Sequence, residues 1–535
     1  TQPPNRRGSP WRAGAESVGW NWLCMGAGEW LNAVVERRGG VWPVSFWVSS
    51  AAPLSMDTKP LAAQTSTRDT VIVFRNSQGA EIRATPLRLT HYEVVFEVYN
   101  PFSILQLSEV LSDFRIIINE RMVYHGRAVV SKLVNAGIFL VLEAALDEAW
   151  LEVDLFTPLM TPGRLRQEFT AFIQEWEKMR SVTAAFKVLV SDLQTLLVDL
   201  RRWLEQVELS IRADPEGNRD LREREVVDQL QEPMVPLMMS WFTRFDEVAD
   251  SVGEEMRPAH RAYARRQLHP LLLCSPFVYR TYQKPLGYAG DYEMVNMILG
   301  DPLRDASSLF AKIVNLCFLK NPPAEAHRNR IRVLTGHLVE ETRRVARLGR
   351  PARILNLGCG PAQEIQNFLA QHPECEAAEF TLLDFNDETI EFTRQILGDY
   401  CQRYHRSTPI RLVKKSVHQV LKESSHASDE GEGGAYDFIY CAGLFDYMSD
   451  RICKRLSDIF YEMLAPGGLL LATNVDASKP FRHSMEYLLE WHLICRSPAE
   501  VRDLAPAQAP ADACQVTCDP TAVNVFLEVR RPGHA

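Results

Sequence analysis

The reading of this chain turns on 352-ARILNLGCGP-361 and, shortly after it, 378-AEFTLLDFND-387. ARILNL reads as a buried strand and Gly358-Cys359-Gly360-Pro361 as a tight turn. AQEIQNFLAQH reads as a helix opened by Pro361, a residue suited to the first helical position. FTLLDF is a second strand ending in Asp384, with Asp387 placed to cap the helix ETIEFTRQIL. Strand, glycine turn, helix and strand in succession form the unit of a doubly wound parallel sheet. Gly358 and Gly360 allow a sharp turn and close approach to a ligand. The carboxylate 24 positions after Gly360 can accept both hydroxyls of a ribose. Gln363 stands where a pyrophosphate-binding GxGxxG turn needs its third glycine, so the turn favours a nucleoside without a diphosphate.

Downstream, RLVKK, YDFIYCAG and LLLATNV read as strands, RICKRLSDIFYEML as a helix, and Pro466-Gly467-Gly468 as a turn before the last of those strands. FRHSMEYLLEWHLICRS reads as a late helix, and CQVTCD and VNVFLEVRR as a hairpin around a short Pro-Thr-Ala turn. This set resembles the class I S-adenosylmethionine-dependent methyltransferases. Leu357-Gly358-Cys359-Gly360 matches their first motif, Asp384 their acidic position, and Asp437-Phe438-Ile439-Tyr440-Cys441 their fourth-strand motif; PGG precedes the fifth strand. The resemblance implies an α/β, Rossmann-type seven-stranded domain over residues 350–535 with S-adenosylmethionine as cofactor. It implies that Gly358 and Gly360, with Asn356 and Cys359 in the same motif, pass the methionine and ribose, and that Asp384 holds the ribose hydroxyls. Phe385 and Asn386 would flank the adenosine, Ser416 and Val417 contact adenine, and Tyr440 to Gly443, including Cys441 and Gly443, border the sulfonium.

Methyl transfer from a sulfonium is an in-line displacement in which the protein mainly aligns and desolvates. A carboxylate acceptor needs no base, an amine must be neutral, and an unactivated hydroxyl needs a base such as His or Asp. Candidates follow the fourth strand in Leu444-Phe445-Asp446-Tyr447-Met448, at the carboxyl end of the strand where ligands bind in such sheets. Asp446 reads equally as a base or as a loop cap; Tyr447 lies beside it, and His492 in the late helix is a further candidate. Upstream, 279-YRTYQKPLGYAGDYE-293 combines glycines, tyrosines, Arg280 and Lys284 just before the helix YEMVNMIL. It reads as a lid that stacks and hydrogen-bonds a ligand through Tyr282, Tyr288 and Tyr292, or more simply as a turn in which Asp291 caps that helix. This run, with 326-AHRNR-330 and 490-EWH-492, resembles a bacterial family likened to the methyltransferase that makes 3-hydroxypalmitic acid methyl ester, a quorum signal. The resemblance implies carboxyl O-methylation of a 3-hydroxy fatty acid, with Arg280, Lys284 or Arg328 pairing with the acid. Another hydroxyl or amine metabolite, or a non-catalytic nucleotide-responsive regulator, stands as the alternative.

Towards the N-terminus, VIVF, AEIRATPLRLT, YEVVFEVY, DFRIIINE, MVYHGRAVVSKLV and GIFLVLEA alternate in the manner of a small antiparallel barrel over residues 70–152, with turns at Asn76-Ser77-Gln78-Gly79 and Asn135-Ala136-Gly137. This stretch is similar to PilZ domains, which bind cyclic di-GMP through an RxxxR segment and a [DN]xSxxG turn. Here Arg83 and Arg88 are five apart, and 106-QLSEVL-111 keeps only the serine, so the bidentate donors and the glycine turn are incomplete and the barrel is not expected to take that nucleotide. Residues 158–349 change to helical periodicity, broken at 214-DPEGN-218, and read as a helical linker or cap whose Met234-to-Phe242 cluster is core. Residues 1–55 carry six of the eleven Trp, and ordinary patterning begins only after Met56, so Met56 reads as the natural start.

A net charge of −9 argues against a general nucleic-acid binder, which needs a Lys/Arg excess. The scattered cysteines form no CxxC or Cys/His set, which excludes a recognisable zinc site and suits reduced thiols in the cytoplasm. No uncharged stretch in the body of the chain spans a bilayer; residues 39–56, uncharged after Arg37 and Arg38, only loosely imitate a signal peptide. The expected partner is a small-molecule or lipid acid.

Overall fold

The computed structural model describes residues 70–533 except 91, 100–104, 119–120, 136–138, 148–165, most of 167–180, 214–217, 425–435 and 479–480. The N-terminal extension, the start at Met56 and most of the Asn135-Ala136-Gly137 turn lie outside these residues.

Strands β1 (Thr70–Arg75), β2 (Glu81–Leu89), β3 (Glu93–Tyr99), β4 (Val110–Ile118), β5 (Arg121–Asn135) and β6 (Phe139–Leu146) close into an antiparallel barrel in the order β1-β2-β3-β6-β5-β4. Alternation sends Ile72, Phe74, Val94, Phe96, Leu142 and Ala144 inward, all fully buried. The Phe74, Phe96 and Phe114 rings meet at centroid distances of 5.5 to 5.8 Å, close enough to fill a six-stranded interior without a ligand. The Asn76–Gly79 turn is set by the Asn76 carboxamide, which accepts from the Gln78 and Ala80 N–H groups, and by Gly79 at φ +77°.

Among the described residues, helices α1 (Ala184–Arg212), α2 (Arg219–Asp250), α3 (Arg257–Leu272), α4 (Pro276–Gln283), α5 (Tyr292–Leu299), α6 (Leu309–Leu319) and α7 (Pro322–Ala346) follow. On α1, Phe186, Leu189, Val190, Leu193, Leu197 and Leu204 recur at three and four residues and form the buried stripe. It packs on Met234, Met238 and Phe242 of α2 and on α6, whose side chains are almost all buried.

The last part alternates β7 (Ala352–Leu357), α8 (Gln363–Gln371), β8 (Ala378–Asp384), α9 (Asp387–Tyr404), β9 (Ile410–Lys414), α10 (Val417–Ser424), β10 (Tyr436–Cys441), α11 (Asp450–Met463) and β11 (Leu464–Val475). Then come α12 (Arg482–Leu488), α13 (Pro498–Asp503), β12 (Cys514–Cys518) and β13 (Asn524–Arg530). The sheet order is β12-β13-β11-β10-β7-β8-β9, with the five strands from β11 to β9 parallel and β13 antiparallel between β11 and β12. This is a seven-stranded Rossmann-type sheet closed by the expected hairpin. Burial on both faces explains why β7 and β10 read as nearly continuous apolar runs. One core lies on each face: Ile354, Phe368, Phe380 and Phe438 on one, Leu355, Ile439, Phe460 and Val525 on the other.

Three local expectations change. Helix α8 starts two residues after Pro361, behind Ala362 at φ +50°, because the Pro361 carbonyl is taken by the Gln366 side chain. Asn386, one residue before Asp387, caps α9 by accepting from Thr389 N–H at 2.9 Å. The late helix stops at Leu488, and Glu490 at φ +51° begins an irregular segment to Ser497 that packs against the barrel and the helical core. Among the described residues no helix is long and apolar enough to cross a membrane, and no group of His, Cys, Asp or Glu could hold a metal ion.

Candidate active site

The glycine turn after β7 hangs on the end of β8. Gly358 and Cys359 N–H groups donate to the Leu383 carbonyl at 2.8 and 3.1 Å, and Gly360 N–H donates to Asp384 Oδ2 at 3.2 Å. Asp384 Oδ1 accepts from Asn386 N–H at 3.1 Å, and Thr393 Oγ1 of α9 donates to the Gly360 carbonyl at 2.6 Å. Gly358 and Gly360 take φ +74° and +49°, a conformation that costs a residue with a Cβ, and a Cβ built on Gly360 meets nothing within 4 Å. The turn therefore faces open space with its backbone. Burial raises the Asp384 carboxyl to about 6, although three backbone N–H groups pull it down.

Two cavities meet at this turn, sharing Gly290, Gly358, Gly360, Ala442, Gly443 and Tyr447. The smaller, about 760 Å³ with its open mouth, is lined by Asp384, Phe385, Ser416 and Val417 on the sheet side and by Tyr288 and Tyr292 opposite. Tyr288 packs on Phe385 at a centroid distance of 5.0 Å, and Tyr292 stacks on Phe392 while donating to Glu388. The larger cavity, about 1440 Å³, has a mostly apolar wall that includes Phe277, Met294, Ile298, Leu334, Met485 and Trp491. Its polar side chains include the buried Asn356, Glu364, Asp446 and Asp476 and the exposed Arg482. Glu364 accepts from Tyr440 Oη at 2.7 Å and from Asn356 Nδ2 at 3.3 Å, and Asn356 Oδ1 is left without a donor. Asp446, raised to about 6 by burial, accepts from Val475 N–H at 2.7 Å. Tyr447 Oη accepts from Trp491 Nε1 at 2.8 Å.

Arg330 was not singled out as a ligand contact from sequence, and it lines the larger cavity as a buried cation. Its guanidinium lies over Gly443, where a Cβ would stand 3.0 Å from Nη1, and among the described residues it meets no carboxylate at salt-bridge distance. Burial lowers its pKa, with Asp446 acting in the opposite sense. A legible signal existed: Pro323, His327, Arg330, Ile331 and Leu334 share one face of α7, and the cation interrupts its apolar stripe.

The sequence candidates separate accordingly. Asn356, Gly358, Cys359, Gly360, Asp384, Phe385, Ser416, Val417, Gly443, Tyr288, Tyr292, Asp446 and Tyr447 line one cavity or both. Asn386 is committed to its cap and Cys441 to the core behind β10. The remaining five do not line the cavities. Arg280 pairs with Asp291, which caps α5 through Met294 N–H; Arg328 donates to the carbonyls of Ile298 and Leu319, closing two helix ends. Tyr282 packs on His269, with the Arg127 guanidinium over its ring. Lys284, 2% exposed, donates to the Leu489 carbonyl, and His492 is buried with its backbone tied to Ser108. The arginines are held at helix termini, and Tyr282, Lys284 and His492 lie at the packed junction with the barrel, where His492 Nε2 is buried without a hydrogen-bond partner.

Residues 327–512 match a family model described as a methyltransferase domain. An uncharacterized protein of Rickettsia prowazekii is 23% identical over 118 residues, 22% of this chain and 40% of that protein, so the chain spans well under half of this relative's length. A possible exported protein from Bordetella parapertussis is similar in structure at 17% identity and TM-score 0.36, over 48% of this chain and 86% of that one. The N-methyltransferase NodS from Bradyrhizobium japonicum, in complex with S-adenosyl-L-homocysteine, is similar at 16% identity and TM-score 0.27, over 47% and 99%. At these scores neither structure bears on the chemistry of this chain. The family match covers strands β7 to β11 of the sheet, and from residue 327 to 512 this chain carries a methyltransferase domain.

Proposed function

We propose that the chain is an S-adenosylmethionine-dependent methyltransferase whose acceptor is the carboxylate of a small or fatty acid, a 3-hydroxy acid by the resemblance of its sequence, and that it works in the cytoplasm. The donor set suits such a cofactor. Asp384 offers a buried carboxylate to ribose hydroxyls, with Phe385, Ser416 and Val417 around the base. Asn356 Oδ1, buried without a donor, and Glu364 offer acceptors to an ammonium group beside the glycine turn. When bound, the sulfonium supplies an electrophilic methyl group; the residues at the junction of the two cavities align it and keep water out.

The observation that carries the acid acceptor is Arg330: a buried guanidinium with no carboxylate at salt-bridge distance among the described residues, at the end of β10, in a cavity whose other walls are largely apolar. A planar fork of N–H donors in such a place suits a carboxylate attached to an apolar body. His327 also lines this cavity, but burial and the neighbouring arginines lower it to about 3, so it stays neutral and is a weak base. A carboxylate needs none. A hydroxyl acceptor is the second reading, favoured by Asp446, whose value of about 6 suits proton abstraction. Ser108, the residue the barrel keeps from the PilZ-like turn, is engaged with the Glu490 and His492 backbone, which supports a barrel that does not take cyclic di-GMP.

The test is Arg330→Met with a labelled methyl donor and a panel of fatty and hydroxy acids. Loss of one buried charge-assisted contact should lower kcat/KM for the acid by about 10- to 100-fold, with affinity for the donor little changed. A variant that loses donor affinity instead would place the guanidinium on the donor's own carboxylate and sink the acid reading.

A further inference from the structure

The barrel stands directly across the nucleoside end of this site. Two of its turns face the smaller cavity, Asn76–Gly79 between β1 and β2 and the segment 105–109 before β4, and they contribute Gln78 and Gln106 to its wall. A single carboxylate fixes both turns. Glu109, 1% exposed, accepts through Oε1 from Ser77 N–H at 2.8 Å and Ser77 Oγ at 2.7 Å, and through Oε2 from Gln106 N–H at 2.7 Å. Burial raises its pKa and no cation offsets the cost, so its only compensation is these three donors. A charge placed there at such cost holds Gln78 and Gln106 in one arrangement.

The same turns are fastened to the catalytic half. Val110 N–H donates to the Gly287 carbonyl at 2.7 Å, and Ser108 Oγ lies between the Glu490 and His492 backbones. Arg127 Nη2 donates to the Tyr282 carbonyl at 2.8 Å, and Arg261 of α3 pairs with the buried Glu93 of β3 at 2.6 Å. Gly287, at φ +84°, lets Ser77 approach until a Cβ would stand 3.0 Å from it. Gly287 also opens the loop whose Tyr288, Gly290 and Tyr292 line the same cavity.

We infer that the barrel is a working part of the donor site: Gln78 and Gln106 close the nucleoside pocket from the side opposite β8, and Glu109 is the positioning residue that holds them there. The inference rests on the reading that the smaller cavity takes the adenosyl group. A carboxamide carries both a donor and an acceptor, which is the pairing that purine edges and ribose hydroxyls require.

Calorimetry of the full-length chain with S-adenosylhomocysteine tests it, with melting of the ligand-free protein and steady-state kinetics alongside. The Gln78→Ala, Gln106→Ala double variant should bind the product about 5- to 30-fold more weakly, one or two hydrogen bonds' worth. Its ligand-free melting should be unchanged, and the loss should appear in KM for the donor with kcat retained, because neither glutamine lines the larger cavity. Glu109→Gln should reproduce that KM change. Undiminished product affinity in the double variant overturns the inference, as does a Glu109→Gln protein that melts earlier yet binds product normally. Asp384→Ala separates the two levels: if it too binds normally, the adenosyl placement fails and the inference with it, whereas loss in Asp384→Ala alone condemns only the role of the barrel.

Discussion

As the proposed ribose ligand, Asp384 gives donor binding a pH dependence of its own. In the ligand-free protein its carboxyl is raised to about 6 by burial, and only the ionised form accepts two hydroxyls. Affinity for S-adenosylhomocysteine should hold above about pH 6 and fall as pH drops through that value, while Asp384→Asn binds weakly at every pH; calorimetry across that range reads both. The same scale shows how one short motif can send neighbouring side chains to separate places. The run 326-AHRNR-330 offers two arginines two positions apart, and on a helix that separation turns them about 200° from each other. Arg328 reaches back to two helix ends while Arg330 enters the cavity, and only the phase of the apolar stripe on α7 tells them apart. Gly358, Gly360 and Asp384 were legible because a positive φ and a strand-end acid leave few alternatives at their positions.

Among the elements, the loop from Lys284 to Asp291 joins what the sequence reading held apart as lid and cap. Asp291 caps α5 and anchors Arg280, and that fixed frame presents Tyr288 and Gly290 to the cavities. Gly290 is at φ +78°, and a Cβ there would lie 2.8 Å from Tyr447 Oη. Gly290→Ala should cost about 1 to 3 kcal/mol in stability, and lower kcat/KM by displacing Tyr447; thermal melting and kinetics measure the two effects. At the other end of the loop Lys284 is buried and lowered to about 7, because desolvation outweighs the attraction of Glu490, a carboxylate already shared with Arg127 and Arg265. Between about pH 7 and 10.5 the unfolded chain holds a proton there that the folded chain lacks, so stability rises with pH across that window and is level below about pH 7, where both states hold the proton. Lys284→Met should flatten that rise, as read from denaturant midpoints on either side of it. The elements the sequence mistook share a cause. The late helix ends early and the helical reading of 490–497 fails because those residues pack against a barrel nearly four hundred positions upstream, which periodicity within a window cannot sense.

Across the whole molecule, the bonds that seat the barrel join residues far apart in the sequence. Ser108 meets the Glu490 and His492 backbones across 382 and 384 positions, and Glu93 finds Arg261 across 168. A ribosome finishes β1 to β6 long before it makes residue 490, so for most of synthesis the barrel has a closed interior and a docking face that the segment from Arg261 to Gly287 covers only in part. At about 5 to 20 residues per second that interval lasts on the order of twenty seconds to over a minute. Pulsed hydrogen exchange during refolding should record the same order, with the Phe114 and Ile116 amides protected early and the Val110 amide, which bonds across the junction, protected last. A growing chain of this kind is most exposed to misassembly in the middle of its own translation.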